Sequence, residues 1–451
     1  MCRSAHKHYH TSVQAMANIP PPPLPPPILE KPIARHKTLA VSNSTTRPFA
    51  VNGSTKEDQV FEFFDVQVSA GSISLKAIIR HYLGVPRLQH VPAADLYKIL
   101  GRLLGLHHTV AKYNEGIALS TPAFLQYWKQ RTLSLFSGFG FHISGLEQAI
   151  KISGLEEIIQ ALEDTFCEDI KEARDTIERG FITFEALGEF YRPGIPVQAV
   201  IASAGTTAVF LVTESSYQEN RGLAGVQKTF NWTMEFVATM GTHFSVVSFT
   251  EQLNGWTGIR ARPLSELTYT LVLPSEIKDL SHRGERYVEF AAGGAKFLAH
   301  SCASFFRHIR PARPGYSSLA SNSSSQLLSE GRVMIDADRG ARLGHHACQG
   351  MDEPTLAMMK IAERYRQWRN TSSTKSSVTE ALMLWDTVPT EFIPYCWPAL
   401  VGFSFTAKCW GHVLVSGLSP IHFQDTAFKH LVIDEERKQL ILSLIHISDG
   451  A

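Results

Sequence analysis

Between Phe181 and Leu273 the chain reads as six short segments rich in branched and aromatic residues: Phe181–Phe184, Val197–Val200, Ala208–Thr213, Thr229–Phe236, Phe244–Phe249 and Leu267–Leu273. Gly, Asn or Ser separates them, a combination that predicts strands of a mixed or antiparallel sheet. The residues just before have a different period. Leu155, Ile158, Ile159, Leu162, Phe166, Ile170, Ala173 and Ile177 recur at three- and four-residue spacing and predict one helix over 155–177. Ser153-Gly-Leu-Glu156 has the form of a capping box and Gly180 that of a stop. Helices followed by a run of strands make an α+β fold the expectation.

The other face of that helix carries Glu156, Glu157, Glu163, Asp164, Glu168, Asp169 and Glu172. Such a cluster can take a cation or a basic partner, but a solvated helix face is the ordinary reading. Upstream, folded sequence is expected from about Val60, where Phe61, Phe63, Phe64 and Val66 precede Ser74–Ile79 and a Pro-bounded helix from Ala93 to Leu106. Downstream, Arg307–Ser329 is basic and then Ser-rich, with Pro311, Pro314 and Gly315, and predicts a long surface excursion before the strand-like Gly331–Asp336. Met358, Ile361, Tyr365 and Trp368 predict a helix from Pro354 to Trp368, with a polar loop at Asn370–Ser377. With 451 residues, two or three domains can each bury a core. The expected division is a leader over 1–57, a mainly helical region over 58–180, a β-rich central domain over 181–395 with a loop insert near 311–330, and an α/β stem over 396–451.

The leader is dominated by Pro20–Pro23 and Pro25–Pro27, then by Ser, Thr and Asn, a composition that cannot bury enough apolar surface to offset ordering entropy. Disorder is the expectation there. The run from Ile19 to Ile28 favours a polyproline II rod, which either docks on the aromatic groove of an SH3-like or profilin-like partner or stays a solvated tail.

Lys and Arg number 43 against 42 Asp and Glu, so no global field draws in nucleic acid or an anionic membrane. Cys2, Cys167, Cys302, Cys348, Cys396 and Cys409 lie far apart without a Cys-x-x-Cys pair, which suits reduced thiols. No apolar stretch follows Arg3 and Lys7, so a secretory signal is not expected, and the protein is read as intracellular, in cytoplasm or nucleus. The Asn-x-Ser/Thr matches at Asn43, Asn52, Asn231, Asn322 and Asn370 are then fortuitous. The longest apolar stretch, Ala199–Val212, is short of the roughly 20 residues of a membrane helix and reads as buried strands.

No Walker phosphate loop, Gly-x-Ser-x-Gly elbow or His-Glu-x-x-His helix is present. Gly138-Phe-Gly140-Phe-His-Ile-Ser-Gly145 spaces its third glycine wrongly for a dinucleotide fold and reads as a structural turn. His345-His346-Ala-Cys348 and His6, His8 and His10 each lack the second ligand pair that zinc requires, and read as surface residues. Arg307, His308, Arg310 and Arg313 read as an exposed loop before a phosphate site. No nucleophile, base and orienter come together, so no catalytic, cofactor-binding or metal residue is assigned.

Several stretches, in order, resemble a mostly fungal family of AAA-type ATPase-like proteins with an N-terminal domain of unknown function, over roughly Val60 to Ile441. Gly180-Phe-Ile-Thr-Phe-Glu-Ala-Leu-Gly-Glu-Phe-Tyr-Arg-Pro-Gly194 is similar to the family's entry into its central domain. His282-Arg-Gly-Glu-Arg-Tyr-Val288 resembles its Arg-Gly signature, and Gly331-Arg-Val-Met-Ile-Asp336 its strand after a variable insert. Trp397–Gly411, Leu418–Phe428 and Leu431–Ile441 resemble the stem that precedes the ATPase core. The resemblance implies ATP and Mg in full-length relatives. Here only Leu442–Ala451 follows the stem, without Walker, sensor or arginine-finger positions, so no catalytic residue carries over and no cofactor is expected for this chain. Leu442-Ser-Leu-Ile-His-Ile-Ser448 also resembles a translated transposon-end sequencing adapter, which makes a gene model broken before the core the expectation. The implied function is a non-catalytic recruitment or assembly region of an AAA-ATPase-like protein. The alternative is a free-standing interaction module using the proline-rich leader. Phe403, Phe405, Trp410, Phe423 and Phe428 serve either as a docking surface for the missing core or as filling for the central domain.

Overall fold

Apolar side chains draw the chain into its fold earlier than the expected boundary at 57. Phe49–Asn52 (β1) pairs antiparallel with Val60–Phe63 (β2), and β2 pairs with His90–Pro92 (β3). The Phe49 ring lies 5.7 Å from Phe61 and 6.2 Å from Phe63. The structure, a computed structural model, describes residues 48–53, 55–64, 74–119, 122–141, 148–222, 225–256, 261–308, 325–347, 352–370, 382–421 and 432–448. The proline-rich run therefore lies outside the described residues.

Among the described residues six helices follow: Leu75–Leu83 (α1), Ala93–Lys98 (α2), Leu100–Leu119 (α3), Pro122–Gly138 (α4), Leu155–Thr165 (α5) and Cys167–Glu178 (α6). The predicted helix over 155–177 is thus two helices jointed at Phe166. The Thr165 hydroxyl donates to the Ala161 carbonyl at 2.7 Å and also lies 2.7 Å from the Gln59 side-chain amide, and such back-bonding bends helices. Ser153 does not cap α5. The cap position belongs to Gly154, held at φ 85 with the Pro48 ring where a Cβ would stand. Gly180, at φ 83, lies two residues beyond α6, where the stop was expected.

The four middle predicted strands are present and longer than their apolar cores, whereas the first and last shrink to two residues each. Phe181–Ile182 (β4) and Leu187–Phe190 (α7) lead into Pro196–Ile201 (β5), Thr206–Gly222 (β6), Gly225–Met240 (β7) and His243–Asn254 (β8). The polar ends of β6 and β7 pair residue for residue as far as Gly222 and Gly225. Leu267–Leu273 is mostly irregular: after Arg262–Pro263 (β9) only Thr270–Leu271 (β10) pairs, against β5.

Then come Ile277–Ala291 (α8), Lys296–His300 (β11), Phe305–Arg307 (β12), Ser325–Leu327 (β13), Gly331–Ile335 (β14), Ala337–Arg342 (α9), Glu353–Asn370 (α10), Leu384–Trp385 (β15), Ala399–Ser404 (β16), Cys409–Leu414 (β17), Leu418–Pro420 (β18) and Glu435–Ser448 (α11). A six-stranded sheet runs β10-β5-β6-β7-β8-β15, and a seven-stranded sheet runs β13-β12-β17-β16-β14-β11-β18. All strand pairs are antiparallel, so the chain is of mixed α+β class. The predicted insert closes a hairpin between β12 and β13, its residues 309–324 lying outside the described residues. Among the described residues no helix is long and apolar enough to cross a membrane.

The boundary placed at 395/396 needs correction. The Trp397 amide donates to the Val237 carbonyl at 2.8 Å, Cys396 bridges Val237, and β16 and β17 sit in the middle of the seven-stranded sheet. Residues 396–420 complete the central core instead of projecting from it, because β12 and β14 would otherwise have no strands between them. Helix α8 joins the two sheets through the Arg-Gly stretch. Arg283 donates to the Thr207 carbonyl at 3.0 Å, the Tyr287 hydroxyl accepts from the Thr239 amide at 2.7 Å, and Arg286 donates to the Leu418 carbonyl.

The helical layer lies on β6. A Cβ at Gly101 would come 2.5 Å from the Ser215 carbonyl oxygen, and one at Gly105 would come 2.3 Å from that of Thr213. Glycines one turn apart let helix and strand backbones touch at a point where β6 itself bulges, between Val212 and Glu214.

Candidate functional site

Further along the same seam the helices and the β6–β7 hairpin diverge and leave a groove of about 810 Å³. Its helical wall is one face of α6, where Asp169, Glu172, Ala173 and Thr176 follow helical spacing, together with Phe166 and with Tyr97 of α2. The opposite wall comes from the β4–α7 turn, with Thr183, Phe184, Glu185 and Ala186, and from Val226, Lys228, Gly255 and Trp256 near the hairpin end. Lys56, on the β1–β2 turn, closes one side.

Aromatic rings form the groove's lining in two pairs. Tyr97 stacks on Phe166 at 4.2 Å, and Phe184 meets Trp256 edge-on at 5.6 Å. The second pair is braced from behind: the Tyr217 hydroxyl donates to the Glu185 carbonyl at 2.6 Å and accepts from the Gly188 amide at 2.8 Å, and the Arg262 guanidinium lies 4.5 Å from the Trp256 ring centre. Burial pushes the Tyr97 phenol up to about 12, and nearby Glu189 and Asp169 add to the shift. The ring therefore stays neutral. The rim is charged and wet. Lys56 pairs with Asp169, Lys228 approaches Glu185 at 3.9 Å, and exposed Glu172 has no ion partner among the described residues. A trough with aromatic lining and a carboxylate-rich rim offers surface to apolar and cationic groups.

The other end of the seam is closed. Tyr127 donates to Glu235 at 2.5 Å, Arg131 forms an ion pair with the same carboxylate, and the Arg131 Nε donates to the Thr109 hydroxyl at 3.2 Å. Burial opposes the charge on Arg131, but Glu235 and Tyr127 more than offset it and hold the guanidinium above its usual range.

A second cluster joins two groups that the sequence kept apart. His308, after β12, places Nδ1 3.1 Å from Nδ1 of His345, after α9. The His345 ring stacks on Trp410 at 5.5 Å, and His412 of β17 lies parallel to Phe306 at 4.9 Å. Burial pulls His308 down to about 2, His412 to about 3 and His346 to about 4, so all three are neutral imidazoles, His308 and His412 within the ring stack. They are not the surface residues expected for this stretch. Among the described residues no three His, Cys, Asp or Glu side chains are arranged to hold a metal ion. Cys348 and His6, His8 and His10 lie outside the described residues, as do Arg310 and Arg313.

The remaining candidates fall as follows. Gly138 ends α4 and Gly140 sits in the turn after it at φ 81. On the acidic helices Glu163 pairs with Arg192, while Glu156, Glu157, Asp164 and Glu168 face solvent. Of the C-terminal aromatics, Phe403 and Trp410 are half-buried and meet edge-on at 5.8 Å, whereas Phe405 is exposed and stacks on exposed Phe297. Phe423 and Phe428 lie outside the described residues. The sequence does not single out the groove, because its lining comes from six separate stretches of chain. The one local signal is the spacing of Asp169, Glu172, Ala173 and Thr176. No family model, no curated protein and no solved structure matches the chain.

Proposed function

We propose that the chain is a non-catalytic recruitment and assembly region that binds an extended protein segment in the groove between α6 and the β6–β7 hairpin. The observation that carries this reading is the groove's make-up: two aromatic pairs inside and carboxylates at the rim. The ordered resemblance to AAA-type ATPase-like proteins supports placing this region ahead of an ATPase core that holds ATP and Mg in full-length relatives. Two of the resembling stretches, around Arg283 and from Trp397 onward, tie the two sheets together, which suits a rigid platform. Proteins of the intracellular space are the expected partners. A second reading, a free-standing module whose proline-rich leader is recognised by an SH3-like or profilin-like partner, draws on Pro20–Pro27.

Fluorescence anisotropy tests the groove. Labelled extended peptides combining apolar and Lys or Arg residues should bind the purified chain and lose about tenfold or more in affinity on Trp256→Ala, since truncating an aromatic anchor costs ~2 kcal/mol or more. Equal binding to both proteins would refute the assignment. A nucleotide titration tests the non-catalytic part: saturable micromolar ATP binding, or turnover abolished by a point substitution in this chain, would overturn it.

A further inference from the structure

The groove's own chemistry matches a segment this chain carries. We infer that the groove is occupied by the chain's own leader, with the run Ile19–Ile28 against the two aromatic pairs and Lys31, Arg35 and Lys37 toward Asp169, Glu172 and Glu185. This rests on the groove being a peptide-docking site. Polyproline rods dock between aromatic rings because they lose little entropy on binding and present flat apolar faces. The Tyr97–Phe166 and Phe184–Trp256 pairs supply such rings on opposing walls.

Charge agrees in sign. Beyond the rod the leader has Lys31, Arg35, Lys37 and Arg47 against the single Glu30, while the groove lining offers Asp169, Glu172 and Glu185. The existing rim pairs are solvent-exposed, so exchanging Lys56 or Lys228 for a leader cation costs little.

Chain length agrees as well. The ten residues 38–47 separate the docked cations from Pro48, and a flexible tether of that length spans about 17 Å on average. Pro48 is fixed, its ring against Gly154 and its carbonyl accepting from the Phe64 amide at 3.0 Å. From there β1 rises about 13 Å to the turn that carries Lys56 at the groove. A tether of this kind gives an effective concentration of about 1 mM, so a contact as weak as ~0.1 mM for the free segment is about nine-tenths formed within the chain. An outside ligand then has to displace it, and its apparent affinity falls about tenfold.

The test uses the full-length chain with a photoreactive benzophenone side chain in place of Val226, which is 57% exposed at the groove wall. Irradiation should link it to residues 17–38 of the same molecule, with a yield independent of dilution. Replacing Pro21, Pro23, Pro25 and Pro27 by Ser in the full chain should abolish that link and raise the affinity for an added labelled peptide of residues 17–38 about tenfold. Links between two molecules that fade on dilution would overturn occupancy within the chain. An added peptide that binds both proteins equally, with no link to the leader, would also overturn it while leaving the docking groove intact. Loss of every peptide interaction, including those sensitive to Trp256→Ala, would remove the inference together with the reading it rests on.

Discussion

The seam between the helical layer and the six-stranded sheet is built in opposite ways at its two ends. Where α3 and α4 cross β6 and β7, Gly101 and Gly105 bring backbones into contact and Arg131, Tyr127 and Glu235 share a largely buried, hydrogen-bonded cluster. Where α6 faces the hairpin end, large aromatic side chains hold the walls apart and the charges sit in water. Small residues and a buried ion pair make a contact permanent, since removing one partner strands the other in a poorly solvating interior. Aromatic surface with exposed charges leaves a contact replaceable.

The sharpest way to break this contrast is Glu235→Leu, which leaves Arg131 buried without a counter-charge. Urea denaturation should show a loss of about 3–5 kcal/mol, and the joint replacement Arg131→Met with Glu235→Leu should recover most of it. A loss below about 1 kcal/mol would mean that the pair does not hold the closed end.

Acid should act on the same end. His108 of α3 lies edge-on to Trp128 at 5.7 Å, and burial, with Lys112 and Arg131 nearby, pulls it down to about 4. A histidine whose folded value is depressed takes up its proton more readily in the unfolded chain, so its contribution is complete above about pH 6.5 and declines as the pH falls toward 4. His308, His346 and His412 act in the same direction. Each contributes a slope of up to about 1.4 kcal/mol per pH unit, giving His108 about 3 kcal/mol over its window. Denaturation midpoints measured from pH 7 to pH 4 should fall, with a shallower fall in His108→Gln. A flat profile would refute the buried neutral state.

Gly105→Ala comes next in size. A methyl 2.3 Å from the Thr213 carbonyl oxygen must push α3 off β6, at about 1–3 kcal/mol by thermal denaturation. An unchanged melting temperature would show that the two backbones are not in contact.

How much of this was legible beforehand follows from where the information sits. The class was readable, because Leu155–Ile177 and the strand segments carry strong local periods that burial on one face imposes. The joint at Phe166 was not, since it depends on Thr165 reaching Gln59 across the fold. Nor were the polar extensions of β6 and β7, which are held by each other's backbones and need no apolar face. Trp397 and strands β16 and β17 looked like an appendage because their partners, Val237, β12 and β14, are distant in sequence. The groove was illegible for the same reason. Tyr97, Phe166, Phe184 and Trp256 are unremarkable singly, and only the packing of α2 and α6 beside the hairpin gathers them.

The smallest expected effect on stability belongs to the open end. Trp256 is half-buried and packs at the edge of the core beside Phe184 and Arg262, so Trp256→Ala removes groove surface together with only part of that packing. Its cost should stay near 1 kcal/mol, well below the 3–5 kcal/mol range that fully buried Trp397→Ala should reach. Thermal denaturation of the two variants side by side sharpens the contrast, because both delete the same side chain and differ only in what surrounds it. If Trp256→Ala instead unfolds the protein as Trp397→Ala does, the two ends of the seam are one core, and the aromatic pairs are structural filling that leaves no room for a replaceable ligand.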